Sequence, residues 1–545
     1  MTVRSAWRCT TSTNPRLPFP KPSPRKRGRF FCVRTKLVPR FRKSLSPRHK
    51  TANRRNGKLW FYLEELERAM KQNYINGAWV DGASSSVNIN PSNTADIVGH
   101  YAQADAQQAS MAIAAAAAAA PAWALSNIQM RADALDKIGT EIIARKDELG
   151  TLLSREEGKT RVEGIGEVGR AGAIFKYFAQ ECLRLRGDKL ASVRPNLDIE
   201  ITREPVGVVG IIAPWNFPIA IPAWKIAPAL AYGNCVLIKP AELVPASVWA
   251  LAEIISRAGL PHGVFNLVMG RGSVVGQAFL NDRRVNAISF TGSVATGAKV
   301  AQSAIARMAK VQIEMGGKNP LVVLNDADLE TAVNCAVQGS FFSTGQRCTA
   351  SSRIIVEKNI YPAFVAAVRE KLAALKVGDA LGEGIDIGPV VDQSQLDQDL
   401  DYIRIGCDEG ATLAFGGQRV RCATEGFFLQ PALFTDCSND MRISREEIFG
   451  PVASVIPADN YEHALALAND SEFGLSSGIV TSSLKHATHF KRHAQAGMVM
   501  VNVPTAGVDY HVPFGGSKGS SYGSREQGAY AAEFFTTVKT AYCGI

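Results

Sequence analysis

Nowhere does this chain offer the roughly 18 consecutive uncharged apolar residues that a bilayer-spanning helix requires. Its blandest run, Ala112 to Pro121, is mostly alanine and reads as an amphipathic or buried helix. Ten cysteines are scattered without a Cys-x-x-Cys pair, which excludes a disulfide framework or a zinc site and suits a reducing, cytoplasmic setting. The glycines Gly292 and Gly297 do not form a Gly-x-Gly-x-x-Gly fingerprint, no Walker A lysine follows them, and no repeat at a solenoid period occurs. What remains is a 545-residue chain, 46% hydrophobic and 20% charged, with enough apolar material for a large core and the length of two to four domains.

Acidic residues are missing from the start. Met1 to Ala69 carries 19 Lys+Arg against 3 Asp+Glu, a balance of +16 that leaves the remainder of a chain of net charge +11 at −5. Dense in Pro and Arg and without apolar periodicity, residues 1–69 read as a disordered basic leader. A transit peptide is opposed by seven prolines before Trp60, because it needs an amphipathic helix. A nucleic-acid-binding arm is opposed by the acidic body behind it. The preferred expectation is that Met70 opens the natural chain, with upstream sequence ahead of it, and that neither nucleic acid nor membrane is a partner.

From Arg203 to Met315 short β-branched runs alternate with helix-length segments, the pattern of βαβ units and a parallel sheet. Strands are expected at Val206 to Ala213, Cys235 to Lys239, Val264 to Met269, Ala287 to Thr291 and Val311 to Met315. Helices fit between them at Ala220 to Tyr232, Pro245 to Ala258, Val274 to Leu280 and Ala295 to Ala306. Long helices at Ala104 to Ala120, Gln129 to Glu157 and Val162 to Leu185 precede them. The fold class is α/β: a doubly wound cofactor-binding domain over 70–189 and 204–313, then a second α/β domain over 314–525. In the second domain, strands are expected at Leu321 to Leu324, Ser352 to Val356 and Val452 to Pro457. Leu190 to Arg203 and Ala531 to Ala541 read as β segments with open edges, so 190–203 and 526–545 are expected to form an oligomerisation arm.

Cys348 lies in Ser343-Thr344-Gly345-Gln346-Arg347-Cys348, among small and polar residues, where Arg347 is expected to favour the thiolate. A nucleophilic thiol needs a base and an oxyanion donor. Glu314, ahead of Gly316-Gly317, and Asn216, in Pro214-Trp215-Asn216-Phe217-Pro218, both stand at strand ends. There an ordinary ion-pair carboxylate and a turn-forming Asn compete with catalytic readings. Thr291-Gly292-Ser293 joins a strand to a helix, as a pyrophosphate site at a helix N-terminus would. His486, His489 and His493 fall at helical spacing, but Lys485, Lys491 and Arg492 between them point to a solvated face, and no metal is expected.

These pieces gain weight in order. Pro-Trp-Asn-Phe-Pro, Lys239-Pro240-Ala241-Glu242, Phe290-Thr291-Gly292-Ser293, Glu314-Met315-Gly316-Gly317-Lys318, Gly345-Gln346-Arg347-Cys348, Glu447-Ile448-Phe449-Gly450-Pro451 and Pro513-Phe514-Gly515-Gly516 together resemble the aldehyde dehydrogenase superfamily over residues 74–545. By that resemblance, Cys348 is the nucleophile, Asn216 and the Cys348 backbone N–H form the oxyanion hole, and Glu314 activates water. Trp215, Lys239, Glu242, Gly292, Ser293, Glu447 and Phe449 hold NAD or NADP, and the chain is a homodimer or homotetramer.

Ser343 to Arg353 and Pro504 to Pro513 look like the same stretches of bacterial α-ketoglutaric semialdehyde (2,5-dioxovalerate) dehydrogenases, which implies oxidation of a small semialdehyde to a dicarboxylate. Succinate-semialdehyde dehydrogenases are similar too, but many carry Arg where this chain has Trp224. For the carboxylate end of such a substrate, Arg170 is the favoured partner, with Arg347, Tyr510 and His511 as further candidates.

Overall fold

The computed structural model describes residues 70–544; the leader expectation for 1–69 lies outside them. Among the described residues two large sheets account for most strands. The first has eight strands, and its five central ones, Phe265–Leu267, Cys235–Lys239, Val208–Ile212, Ala287–Thr291 and Lys310–Glu314, lie side by side in that order and run parallel. Numbered along the chain this is 3-2-1-4-5, a doubly wound sheet whose order reverses between Val208–Ile212 and Ala287–Thr291. Ligands bind beyond the carboxyl ends of the strands at such a reversal. Every residue of Cys235–Lys239 and Ala287–Thr291 is buried, as continuous apolar runs covered on both faces by helices should be.

The second sheet has seven strands. Six of them, Ala432–Thr435, Val452–Ala458, Ser351–Glu357, Asn319–Val323, Ser476–Val480 and Met498–Val501, are parallel in that order. Only the four residues from Met315 to Lys318 separate the first sheet's Lys310–Glu314 from the second sheet's Asn319–Val323. Glu314 is therefore carried to the seam between the sheets. The short strand Ser521–Tyr522, inside the range assigned by sequence to the second domain, returns to pair antiparallel with Ile313 and Glu314 and closes the first sheet's edge.

Three local expectations are corrected. Gln129 to Glu157 is two helices, Ile128–Ala144 and Lys146–Glu157, broken at Arg145, whose guanidinium is drawn to Glu141, Glu148 and Glu253. Ala531 to Ala541 begins as helix, Ala532–Phe535, because Phe534 and Phe535 turn into the core, and only then becomes the strand Thr536–Gly544. Leu190 to Arg203 is the two strands Asp188–Ala191 and Leu197–Pro205, and the latter pairs with Thr536–Gly544 within the same chain. No helix of the described residues is long and apolar enough to cross a membrane.

Candidate active site

One helix frames the site. Arg161–Glu181 opens with a capping box in which Thr160 and Glu163 satisfy each other's groups, and it lines a cavity of about 310 Å³ with Glu163, Gly166, Glu167 and Arg170. Cys348 lies on the cavity wall together with Phe217, Trp224 and Phe514. Burial, then the carboxylates of Glu447 and Glu314, push the Cys348 thiol up to about 12. Arg347 does not offset this as expected, because its guanidinium donates to Glu163 Oε1 and Ser343 Oγ, both at 2.9 Å.

Asn216 is buried, and its Nδ2 donates to the Gln346 carbonyl at 3.0 Å, two residues before Cys348. One of its two amide hydrogens remains for another acceptor. The Asn216 loop is held by Lys159, whose ammonium donates to the Asn216 carbonyl at 2.8 Å and to Glu167 Oε2 at 2.7 Å. Glu167 Oε1 in turn accepts the backbone N–H groups of Ile219 and Ala220 at the start of helix Ala220–Ala231.

Glu314 is fully buried, and its pKa is raised well above the usual carboxylate range, first by burial and then by Glu526. Ser521 donates to it. Glu526 accepts from Trp224 Nε1 at 2.7 Å and is paired with the buried Lys225. Sequence reasoning missed Lys159, Glu163, Glu167, Lys225, Ser521 and Glu526. No local pattern marks them, because each acts through a partner distant in the chain.

The two arginine candidates differ. Arg347 is neutralised by Glu163. Arg170 has no carboxylate in direct ion-pair contact, though Glu167 and Asp509 act on it from farther away: its guanidinium donates to Gln527 Oε1 at 3.0 Å, lies 5.5 Å from the Trp224 ring, and leaves Nε buried without an acceptor. Tyr510 and His511 are exposed and stand outside the cavity, whose lining from that loop is Ala506, Gly507 and Val508.

The cofactor candidates cluster beyond the strand ends where the sheet order reverses. Lys239 is buried, its ammonium donates to the Pro240 carbonyl at 2.7 Å, and burial lowers its pKa to about 8. Its remaining donors lack acceptors, as a site for ribose hydroxyls requires. Glu242 is exposed and accepts from the Gly272 N–H. Ser293 precedes helix Val294–Ile305, makes no side-chain cap and leaves the first-turn N–H groups open to an anion. Glu447 accepts from the Gly317 N–H at 2.9 Å and lies so close to Gly316 that any side chain there would overlap its carboxylate. Trp215 and Phe449 meet edge to face at 5.3 Å. This set fits a dinucleotide. The histidine row proves to be helix Leu484–His493, where His486 stacks on Tyr461 and His489 on His493.

The model of the aldehyde dehydrogenase family matches residues 79–541. The chain belongs to the aldehyde dehydrogenase family. It is 44% identical to the α-ketoglutaric semialdehyde dehydrogenase of Bacillus subtilis (strain 168) over 86% of this chain and 97% of that protein. It is 43% identical to the α-ketoglutarate semialdehyde dehydrogenase of Haloferax volcanii, over 86% of this chain and 98% of that one. Among solved structures, betaine aldehyde dehydrogenase from Staphylococcus aureus in complex with NAD+ aligns with a TM-score of 0.85 at 32% identity, covering 89% of this chain and 97% of the other.

Proposed function

We propose that the protein oxidises a semialdehyde bearing a distal carboxylate, α-ketoglutaric semialdehyde (2,5-dioxopentanoate) in first place, to 2-oxoglutarate with NAD or NADP. The single observation carrying this reading is the Arg170 guanidinium on the wall of the same cavity as Cys348, with its Nε unpartnered and no carboxylate in ion-pair contact. Desolvation disfavours the Arg170 charge, Glu167 and Asp509 offset this only in part, and an anionic substrate group would offset it further. The names of the Bacillus and Haloferax relatives agree with that charge.

Lys239 and Glu242 would hold the adenosine ribose, Gly292 and Ser293 the pyrophosphate, and Glu447 the nicotinamide ribose, with Trp215 and Phe449 against the cofactor. When bound, the nicotinamide supplies the hydride acceptor. The chain's own residues do the rest. The Cys348 thiol releases its proton to solvent water, the sulfur bonds to the aldehyde carbon, and the carbonyl π pair moves onto oxygen. That oxyanion accepts from Asn216 Nδ2 and the Cys348 N–H. Once the carbon has lost its hydride it is a thioester. Glu314 takes a proton from water, the resulting hydroxide adds to the carbon, and the sulfur leaves as thiolate. A raised pKa makes Glu314 a stronger base toward that water.

The three-stranded sheet of Asp188–Ala191, Leu197–Pro205 and Thr536–Gly544 supports a homodimer or homotetramer, since Leu190, Val538 and Tyr542 are exposed on it. The described cysteines, all free, agree with a cytoplasmic setting.

Following NAD(P)H absorbance with α-ketoglutaric semialdehyde, succinate semialdehyde and a neutral aldehyde of similar length tests the reading. Arg170→Met is expected to raise KM for the carboxylate-bearing aldehydes by about tenfold or more, the loss of a charge-assisted hydrogen bond of about 1.5–3 kcal/mol, and to spare the neutral one. Equal losses on all three would overturn it.

A further inference from the structure

The residues ahead of the nucleophile are strained. Ser343 (φ 50°), Thr344 (φ 56°) and Gly345 (φ 66°) follow one another in the left-handed region, which non-glycine residues rarely adopt and almost never in succession. Gly345 is further constrained, because any side chain there would collide with the Gly450 carbonyl. Such a turn persists only where its surroundings over-determine it.

The surroundings converge on one carboxylate. Glu163 Oε1 accepts from the Ser343 N–H and Ser343 Oγ at 2.8 Å each, and from Arg347 at 2.9 Å. Glu163 Oε2 accepts from Thr160 N at 3.2 Å and Thr160 Oγ1 at 2.9 Å. One oxygen is thus committed to the helix Arg161–Glu181 and the other to the left-handed turn, 180 residues away in the chain. The turn's next residue, Gln346, offers its carbonyl to Asn216 Nδ2.

Resting on the thiol chemistry proposed above, we propose that Glu163 is a positioning residue for the nucleophile. Its carboxylate fastens the turn Ser343 to Gly345 to the first turn of helix Arg161–Glu181 and thereby sets where Cys348 stands relative to the Asn216 amide. Arg347 serves this fastening by neutralising the carboxylate, and does not read the substrate. The expectation that Arg347 binds substrate is replaced by this role.

The test uses the full-length protein with Glu163→Gln and Glu163→Ala. Rapid mixing reads the first-turnover acylation rate, cofactor binding is read by fluorescence, and iodoacetamide alkylation reports Cys348 itself. Acylation is expected to fall by about tenfold or more, the penalty of a small misplacement of reacting groups. The loss should appear in kcat rather than KM, and equally on carboxylate-bearing and neutral aldehydes. Cofactor affinity and alkylation rate are expected to stay within about twofold, which a general loss of structure would not allow. Where Glu163→Ala is insoluble, Ser343→Ala and Arg347→Met each remove one partner and are expected to give partial losses of the same kind. Wild-type acylation in these variants overturns the proposal, as does a loss confined to carboxylate-bearing aldehydes. Absence of acylation in the unaltered protein overturns the dehydrogenase function itself, and the positioning role with it.

Discussion

Burial and neighbouring carboxylates push the Cys348 thiol up to about 12, so this arrangement favours the neutral thiol at neutral pH. Three carboxylates, Glu447, Glu314 and Glu526, contribute to that value after burial. Glu447, itself pushed up to about 7 by burial, carries charge only above that pH. Glu447→Gln should therefore lower the Cys348 pKa and speed iodoacetamide alkylation above pH 7, with little effect below it; acceleration at every pH would contradict the sign. At this scale the sequence was partly legible. Cys348, Glu314 and Asn216 sit in compact motifs whose order was readable, whereas the groups that hold them were not. Glu163 and Glu526 are ordinary carboxylates until the fold brings Ser343 and Lys225 to them. Arg347 was misread for the same reason: a cation beside a thiol looks useful to it until the carboxylate that claims the cation is found.

Elements were recovered where hydrophobic period and chain punctuation agreed. Cys235–Lys239 and Ala287–Thr291 have the expected bounds, because apolar runs closed by polar or turn residues delimit them. The break at Arg145 was invisible, since no Gly or Pro marks it and the ion pairs made there reach Glu253 on another helix. Helix Pro245–Ser256 has a similarly remote support: buried Glu156 accepts from the N–H groups of Ala246 and Ser247 at 2.7 Å each. Burial raises the Glu156 pKa to about 7 in the folded chain. A raised carboxylate gives stability that is fully present below its unfolded value and is lost as pH climbs through the folded one. The destabilisation caused by Glu156→Gln should then shrink between pH 5 and pH 8, read as the difference in Tm between the two proteins. A constant difference would mean that Glu156 titrates alike in both states.

For the whole molecule, the alternation of strands and helices predicted two α/β units. It did not predict that Ser521–Tyr522 crosses back to the first sheet, because a two-residue strand has no periodicity to read. That return delivers Ser521 to Glu314 and, a few residues on, Glu526 to Lys225, so the site is complete only when both sheets have formed. The tail strand Thr536–Gly544 pairs along its whole length with Leu197–Pro205 but keeps most of its side chains exposed. Deleting residues 537–545 should shift the protein to monomers in sedimentation; an unchanged assembly would place the interface elsewhere. The measurement that bears most directly on the thiol mechanism is rapid mixing of Glu314→Gln with NAD or NADP and α-ketoglutaric semialdehyde. With Cys348 acylated normally and the water-activating base removed, a burst of NAD(P)H near one equivalent per site should be followed by turnover slowed about 100-fold or more. Equal slowing of burst and steady state, or a burst that survives in Cys348→Ala, would contradict it.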